Sequence, residues 1–477
     1  MKTIFALLGV ALLHFTQCQA QTHELELYVV ADSALVLNQV KLDTSSDTYN
    51  VKYQRAQQNV RADINYVLNQ ADSMLAGLTG VTVGIKLRKL DILTTNVITL
   101  FLPGTNYVVD SAVAKVQFQN WLSQQNSYAL LGYDLAILYT GFDLYGSGGL
   151  LETSNTNFAS VCDRIRSLAI IEFQPTYRDV YATAHSIGFV LGANNDGAAS
   201  SNVMASLNTP TDINRWSYST CSATSIKDYL RLLPVNCLLS SSSQSTKPSF
   251  SVTSYTGNIL KPDVICQRAL NDTRTYMCKS LPATYNNLPP RGNAVCSQIY
   301  CRVPNTMTCT SVFTSDGMVC DRSKRCSKGQ CVVDRTTETQ NVNPNCVWGD
   351  QKTLEFPTLN FYGTCPTFIS AYKAFNCYSS PINESCCATC KSYNTGRVGC
   401  EYGDKSVDCV KYTKASVCPT YGSNLCCGYC AGYVGKRSTN EGSFPVPALN
   451  ATQPDKNVAE ITETIPYADG HHIPQRR

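Results

Sequence analysis

One segment of the chain has residue types and spacing that could do chemistry: residues 183–196, TAHSIGFVLGANND. Its apolar positions predict a helix over 179–191. Residues four apart share a helix face, so His185 and Phe189 should point the same way. A zinc centre on such a face needs two histidines at this spacing, a third donor and an adjacent general base. Only His185 is an imidazole here.

The segment resembles the zinc signature H-E-x-x-H-x-x-G-x-x-H-D of reprolysin-type metalloproteases, the family that includes the ADAMTS proteins. His185 matches the first ligand, Gly192 the turn glycine and Asp196 the aspartate after the third ligand. Met204 falls where the family has its Met-turn methionine. Further matches are the strand YDLAILYTG and the stretch WSYSTC followed by Cys237.

The sequence departs from that signature at three positions. Ser186 replaces the glutamate that takes the proton from zinc-bound water, and a hydroxyl has no such basicity. Phe189 replaces the second ligand, and Asn195 replaces the third with a neutral amide, a poor zinc ligand. The resemblance therefore implies that peptide hydrolysis and resident zinc are lost.

His185 has two interpretations. In one it is an inherited histidine, packed and hydrogen-bonded in the former cleft. In the other it is a ligand in a rebuilt zinc site, together with Asp196 or an added partner, and zinc is expected only in that case. A nucleophilic Ser186–His185 pair is disfavoured, because adjacent helix residues do not face each other.

The elements that would position this segment are predicted from hydrophobic periodicity. Strands are expected at 24–36, 81–93, 133–139 and 167–173, and helices at 52–78, 111–123 and 179–191. Alternating strands and helices indicate an α/β layer architecture over 22–240. By resemblance this is a metzincin-like (reprolysin) domain, followed by small disulfide-rich modules and a disordered tail.

Composition places the chain outside the cell. Residues 1–20 read as a signal peptide, with Lys2, an apolar stretch at 4–13 and a small residue at Ala20. No later stretch has the ~20 apolar residues of a transmembrane helix. The 24 cysteines suit an oxidising compartment, and the net charge of +4 excludes a strong nucleic-acid binder. We therefore expect a secreted protein, matrix-associated, without nucleic-acid partners.

The second half is expected to consist of small modules. Residues 262–335 resemble the ADAMTS cysteine-rich region, carried by CSQIYC, DGMVC, KRC and GQCV. Two six-cysteine repeats ending in C-C-x-x-C resemble PLAC modules. The predicted divisions are a signal peptide at 1–20, a reprolysin-like domain at 22–240, a linker at 241–261, the cysteine-rich module at 262–335, the repeats at 346–390 and 400–432, and the tail at 436–477.

Six cysteines allow fifteen pairings, so the sequence leaves the connectivity of the repeats open. By resemblance, Cys162 pairs with Cys237, and Cys221 is the candidate odd thiol. Cys221 is either buried and inert or forms an intermolecular disulfide. The N-x-S/T sequons at Asn271, Asn383 and Asn450 are candidate glycosylation sites.

These features favour a secreted ADAMTS-like pseudo-metalloprotease that binds extracellular matrix or other secreted proteins. The alternative is a secreted zinc metalloendopeptidase with a non-standard site. A third hypothesis is a regulator that competes with active relatives for their substrates or inhibitors.

Overall fold

A computed structural model describes most of the chain between residues 22 and 433. The described ranges are 22–105, 107–126, 131–146, 151–173, 177–197, 200–205, 213–249, 260–279, 292–306, 308–321, 323–334, 346–356 and 359–433. The predicted signal peptide and tail, with Asn450, lie outside them. The chain divides into two compact units, 1–257 and 258–477. None of the helices in the described ranges combines the length and apolar character that a membrane crossing requires.

The first unit is built on a five-stranded sheet and a smaller three-stranded one. The strands are β1 Thr22–Ala31, β2 Thr82–Ile92, β3 Val108–Asp110, β4 Leu135–Thr140, β5 Asp143–Tyr145, β6 Leu151–Glu152, β7 Ser154–Thr156 and β8 Leu168–Glu172. The larger sheet has the order β2-β1-β4-β8-β7, and the smaller one has the order β3-β5-β6. In the larger sheet β7 runs antiparallel to β8, and the other neighbouring pairs are parallel.

Helices pack with this sheet, as the α/β prediction required. They are α1 Ser33–Leu42, α2 Tyr49–Leu75, α3 Ser111–Gln124, α4 Tyr177–Val190 and α5 Thr220–Leu232. Every residue of β4 and β8 is buried, as expected for parallel strands inside an α/β layer. The apolar runs in the sequence located these strands to within one or two residues.

The strand predicted at 24–36 is wrong beyond Ala31. The chain turns there into α1, and the Asp32 carboxylate accepts a hydrogen bond from the Leu35 backbone N–H at 3.0 Å. This is the N-cap arrangement that starts a helix. The apolar run continues across the boundary because both β1 and the start of α1 are buried.

Part of the predicted linker packs against the first unit. The Glu26 carboxylate accepts hydrogen bonds from the Ser242 N–H, at 2.8 Å, and from the Ser245 hydroxyl. Thr246 forms a β-bridge with Leu87 of β2. Residues 250–259 of the predicted linker lie outside the described ranges.

Two buried carboxyl groups, Asp32 directly after β1 and Asp134 directly before β4, should make the stability of the first unit depend on pH. Burial raises the pKa of Asp32 to about 6. Burial raises the pKa of Asp134 to about 7, and the nearby Glu26 carboxylate adds to the effect. When folding raises the pKa of a carboxyl group, the folded state gains stability from that group at pH values below the pKa that the group has in the unfolded chain. This stability is lost as the pH rises through the pKa that the group has in the folded protein.

We therefore expect the free energy of unfolding of the first unit to fall between pH 5 and pH 7.5. Asp134→Asn keeps an acceptor for the Glu26 N–H, which lies 2.9 Å from the Asp134 carboxylate, and removes the charge. It should stabilise the unit at pH 7.5 by up to roughly 4 kcal/mol and flatten the profile. Urea unfolding at both pH values measures this. An equally steep profile in the variant would contradict the assignment.

The second unit begins with the cysteine-rich module. Its elements are α6 Pro262–Leu270, β9 Gln298–Arg302, β10 Cys309–Phe313, β11 Val319–Asp321, β12 Lys324–Ser327 and β13 Gln330–Val333. Its eight cysteines pair within the module, as Cys266–Cys301, Cys278–Cys309, Cys296–Cys326 and Cys320–Cys331. Half-cystines make up much of its buried apolar cluster, so disulfides substitute for a larger core.

The two repeats have identical disulfide connectivity, in which the first cysteine pairs with the fifth, the second with the fourth and the third with the sixth. The bridges are Cys346–Cys387, Cys365–Cys386 and Cys377–Cys390, then Cys400–Cys427, Cys409–Cys426 and Cys418–Cys430. The described elements are β14 Leu354–Phe356, β15 Phe361–Gly363, α7 Cys365–Tyr372, α8 Ser380–Ser385, α9 Cys387–Ser392 and α10 Lys414–Tyr421.

Each repeat opens with a loop of the pattern Cys-x-(Trp/Tyr)-Gly-Asp, at 346–350 and 400–404, which we call the docking loop. Its aspartate stabilises the repeat from within. Asp350 accepts hydrogen bonds from the Ala388 and Thr389 N–H groups, and Asp404 accepts them from Gly428 and Tyr429. The aspartate thus satisfies the backbone donors of the two residues between the cysteines of the C-C-x-x-C segment.

The glycine of each docking loop connects its repeat to the preceding module. The Gly349 carbonyl accepts a hydrogen bond from Lys279 Nζ of the cysteine-rich module at 2.8 Å. The Gly403 carbonyl accepts one from the Tyr378 hydroxyl of the first repeat at 2.9 Å. The same loop position therefore joins three consecutive modules, each time through a side-chain donor of the module before it.

Candidate functional site

Helix α4, which contains His185, presents a row of aromatic rings. The His185 ring lies between Tyr181 and Phe189, with centroids 5.6 Å and 5.2 Å away. The Phe189 ring meets Phe158, which follows β7, edge to face at 5.7 Å. Tyr181, His185 and Phe189 are spaced four residues apart, so they occupy one helix face. Phe189 thus fills the position next to His185 where a second imidazole would stand.

The hydrogen bond of His185 fixes the orientation of its ring. Nδ1 lies 2.8 Å from the Val203 carbonyl oxygen, so Nδ1 carries the proton and Nε2 keeps the lone pair. Burial lowers the pKa of His185, while the Val203 carbonyl and Asp196 oppose the shift. The imidazole is therefore neutral near pH 7, and a single neutral imidazole cannot hold a catalytic zinc by itself.

Ser186 lies next to His185 but on another side of the helix. It is fully buried, and its hydroxyl has no hydrogen-bond partner in the described part of the chain. A buried hydroxyl with neither a base nor a charged neighbour bonded to it has no means of activation as a nucleophile. The Ser186 hydroxyl is therefore a chemically inert group.

The loop after α4 is held by Asp196. Its carboxylate accepts hydrogen bonds from the Ser219 and Ser222 hydroxyls at 2.7 Å and 3.0 Å, and its N–H donates to the Met204 carbonyl at 2.8 Å. Asn195 is exposed. These contacts give Asp196 a structural role in joining the segment after the helix to the start of α5.

Met204 and Gly192 shape the backbone around the helix. Met204 is fully buried, and a Cβ on Gly188 would lie 2.6 Å from its sulfur, so the methionine packs directly on α4. Gly192 has a φ of +83°, and a Cβ there would lie 2.7 Å from the Tyr229 ring. A glycine is required on both counts. Gly188, Gly192 and Met204 thus fix how the chain packs and turns at the C-terminal end of α4.

No clear zinc site occurs among the described residues. A group of three or more His, Cys, Asp or Glu donors close enough for one ion is found once there, at Cys296, Cys320 and Cys331. All three sulfurs are in disulfide bonds, Cys296 with Cys326 and Cys320 with Cys331, so they are not thiolate ligands. Within the described ranges, Asp196 belongs to no such group.

The described residues of the first unit contain one disulfide bond and one free cysteine. Cys162 and Cys237 are bonded, with an S–S distance of 2.08 Å, and tie the segment after α5 to the loop before β8. Cys221, near the start of α5, is free and exposed. The interpretation of Cys221 as a buried, inert thiol is therefore wrong, because its side chain projects from the solvent face of an amphipathic helix.

The sequon at Asn383 lies in the contact between the two repeats. Asn383 is half-buried in α8, and its Nδ2 donates to the Tyr402 hydroxyl at 3.2 Å. Tyr402 also packs edge to face on Tyr378, at 5.1 Å. A glycan is attached through the same Nδ2 atom, so it would occupy the space of Tyr402.

We therefore expect Asn383 to carry no glycan in the folded, secreted protein. Mass spectrometry of its proteolytic peptides before and after enzymatic deglycosylation measures occupancy. Asn271, at the left-handed C-cap of α6, and Asn450, outside the described ranges, serve as internal comparisons. High occupancy at Asn383 would show that the repeats do not pack through Tyr402.

Comparison with known proteins gives a distant relationship. The chain is 26% identical over 247 residues to a disintegrin and metalloproteinase with thrombospondin motifs 1 of Rattus norvegicus, covering 48% of this chain and 24% of that protein. It is 26% identical to a disintegrin and metalloproteinase with thrombospondin motifs 4 of Mus musculus, covering 46% of this chain and 26% of that protein. It is 29% identical to a disintegrin and metalloproteinase with thrombospondin motifs 15 of Homo sapiens, covering 46% of this chain and 22% of that protein.

The chain spans about a quarter of the length of these curated relatives. It is therefore a distant relative of these metalloproteinases over about half of its own length. No protein-family model matches it. A solved structure titled "Structure of a chaperone-substrate complex" aligns over 44% of this chain and 35% of its own, with TM-score 0.29 and 10% identity, values from which no shared fold follows.

Sequence reasoning missed the aromatic row. Phe189 was identified only as a lost ligand, although Tyr181, His185 and Phe189 at spacing four already contained the signal for one ring-lined helix face. The contribution of Phe158 could not be foreseen, because it comes from a loop 31 positions before Phe189. The interaction of His185 with Val203 likewise joins residues 18 apart.

Proposed function

We propose that this chain is a secreted ADAMTS-like pseudo-metalloprotease that acts as a binding protein in the extracellular matrix or toward other secreted proteins. The stacking of Phe189 on His185, at 5.2 Å, is the observation that carries the proposal. A phenyl ring offers no lone pair to a metal, and here it lies beside the lone histidine. The face of α4 formed by Tyr181, His185 and Phe189, where the zinc ligands of the family would lie, makes apolar packing contacts in this chain.

Secretion is supported by the disulfides. Eleven bridges occur among the described residues, and such a number is typical of extracellular proteins. The second unit depends on them, since ten of the eleven lie within it. The cysteine-rich module and the PLAC-like repeats would supply contacts to matrix or secreted partners.

Peptide binding by the first unit needs no zinc. Strand β7 is the last strand of the five-stranded sheet, so its outer side is available for an added strand within the described structure. An extended peptide could pair there by β-augmentation. Phe158, which is 43% exposed, would place the aromatic row under one of the peptide's side chains.

The test of lost zinc chemistry is the metal content of the purified secreted protein, measured beside His185→Ala after dialysis against metal-free buffer. We expect less than about a tenth of an equivalent of zinc in both. A peptide-hydrolysis assay on the same samples should show no activity that a chelator removes. About one equivalent, lost in His185→Ala, would favour the alternative, a zinc metalloendopeptidase with a non-standard site.

The exposed Cys221 would form an intermolecular disulfide. We expect a fraction of the secreted protein to migrate as a dimer on non-reducing gels, and Cys221→Ser to remove that fraction. Reduction of the wild-type sample gives the same monomer band. A dimer that persists in Cys221→Ser would assign the bridge to another cysteine and refute this part of the proposal.

A further inference from the structure

The first unit has a cavity that is separate from the degenerate zinc motif. Its volume is about 760 Å³, and it lies beside the start of β2, the C-terminal half of α5 and the segment after that helix. None of its lining residues belongs to α4 or to the loop that follows α4. A cavity of this size is in the range that holds small molecules.

Half of the residues that line the cavity are apolar. The apolar lining residues are Leu78, Val81, Leu230, Leu233, Pro234 and Leu239. Two further apolar residues of the same stretch of chain, Leu232 and Val235, are 72% and 77% exposed. Asn236 also lines the cavity, but its amide already bonds to the Leu230 carbonyl and the Leu238 N–H. The cavity is therefore suited to a hydrocarbon group that brings no hydrogen-bonding atoms of its own.

The ionisable groups of the lining are all basic in type. His23, Lys227 and Arg231 line the cavity, and no aspartate or glutamate does. Lys227 is exposed, makes no ion pair with a described residue, and its Nζ lies 3.8 Å from where a Cβ on Gly80 would be. Arg231 has Asp228 at 3.8 Å, and both side chains are exposed, so this pair is weak and replaceable.

His23 adds a polar atom inside the cavity. The residue is only 8% exposed, and its Nδ1 lies 3.2 Å from the Thr82 carbonyl oxygen. The other ring nitrogen, Nε2, has no partner in the described part of the chain, although the ring lines the cavity. The ring is therefore part of the cavity wall, held through Nδ1 and with Nε2 not engaged by a described residue.

We propose that this cavity binds a single-chain carboxylate amphiphile, a fatty acid of medium to long chain. The carboxylate lies between Lys227 and Arg231, and the acyl chain lies along the leucine-rich wall. An acyl chain needs no hydrogen bonds along its length, whereas a peptide would bring backbone groups that require partners. The proposal concerns a site distinct from the former zinc face and does not depend on the state of that face.

The proposal is tested by calorimetric titration of the full secreted chain with laurate below its micelle concentration. We expect one binding site, and no comparable binding of dodecyltrimethylammonium, which has the same chain length and the opposite charge. Across octanoate, decanoate and laurate, affinity should rise about fourfold per added methylene. Equal binding of both amphiphiles, or none of laurate, would overturn the proposal. Binding of an acidic apolar peptide in place of laurate would overturn it in favour of a peptide site.

Charge-reversal variants locate the carboxylate. Lys227→Glu with Arg231→Glu should weaken laurate binding at least about tenfold, because two exposed attractive pairs become repulsive. The matched control is Lys41→Glu with Arg61→Glu, which makes the same change in net charge at exposed positions outside the cavity lining. Equal weakening in both variants, or none in the first, would contradict the assigned site.

Discussion

Introducing the three groups that the zinc signature has and this sequence lacks, with Ser186→Glu, Phe189→His and Asn195→His, should give a protein that binds about one zinc ion per chain. His185 is already oriented by Val203, with its Nε2 lone pair free for a metal. The ring of residue 189 lies on the same helix face, 5.2 Å from the His185 ring. The wild-type protein lacks two of the three imidazoles, so the expected change in zinc content is at least about tenfold.

The frame for the third ligand is also in place. Gly192 has the positive φ that turns the chain after the helix, and Asp196 is held through Ser219 and Met204. Residue 195 lies between these fixed points. Elemental analysis after dialysis measures the zinc, and circular dichroism shows that the triple variant remains folded.

The control for the restored site adds His185→Ala to the triple variant, which should return the zinc content to the wild-type level. The single variant Phe189→His, with two imidazoles, should bind zinc more weakly than the triple variant. A folded triple variant without zinc would show that the backbone of the motif has moved away from ligand geometry. In that case the loss of the metal site would involve more than the three side chains.

Replacing Lys279 with methionine should release the first repeat from the cysteine-rich module. Lys279 is 6% exposed, and its Nζ donates to the carbonyls of Trp348, Gly349 and Asp350 at 2.8, 2.8 and 2.6 Å. Burial lowers the pKa of Lys279 to about 8. Methionine fills a similar volume but leaves three carbonyl groups without this donor. The expected loss is roughly 3 kcal/mol or more from the stability of the junction.

Hydrogen exchange over the docking loop at 346–350 measures this loss, because the disulfides keep each module folded while the junction opens. Lys352→Met is the matched control. Lys352 donates across the same junction to the Thr273 carbonyl, at 3.2 Å, but it is exposed. Its replacement should change exchange by less than about 0.5 kcal/mol. Similar effects of the two variants would show that burial of Lys279 is not what holds the junction.

The two repeats show how far a sequence pattern predicts structure. The order of the cysteines and the shared C-C-x-x-C ending identified two copies of one unit, because a duplicated sequence repeats its local spacing. The pairing of first with fifth, second with fourth and third with sixth cysteine was one of fifteen possibilities. Which pairing forms depends on the turns that bring distant sulfurs within bonding distance, and spacing along the chain does not encode this directly.

The sequence by itself determined which chemical groups occupy residues 185–196, since no fold can give Phe189 a lone pair or Ser186 a carboxylate. It also located four strands of the main sheet and helices α2, α3 and α4, but it missed α1, α5 and the short strands β3, β5, β6 and β7. At Asp32 a side-chain cap turned the predicted strand into a helix. Only the tertiary structure decided the partners of His185 and Lys279 and the walls of the basic cavity. Those contacts join segments far apart in the chain. Hydrophobic periodicity indicates which side chains are buried, but it does not indicate which other residues they contact.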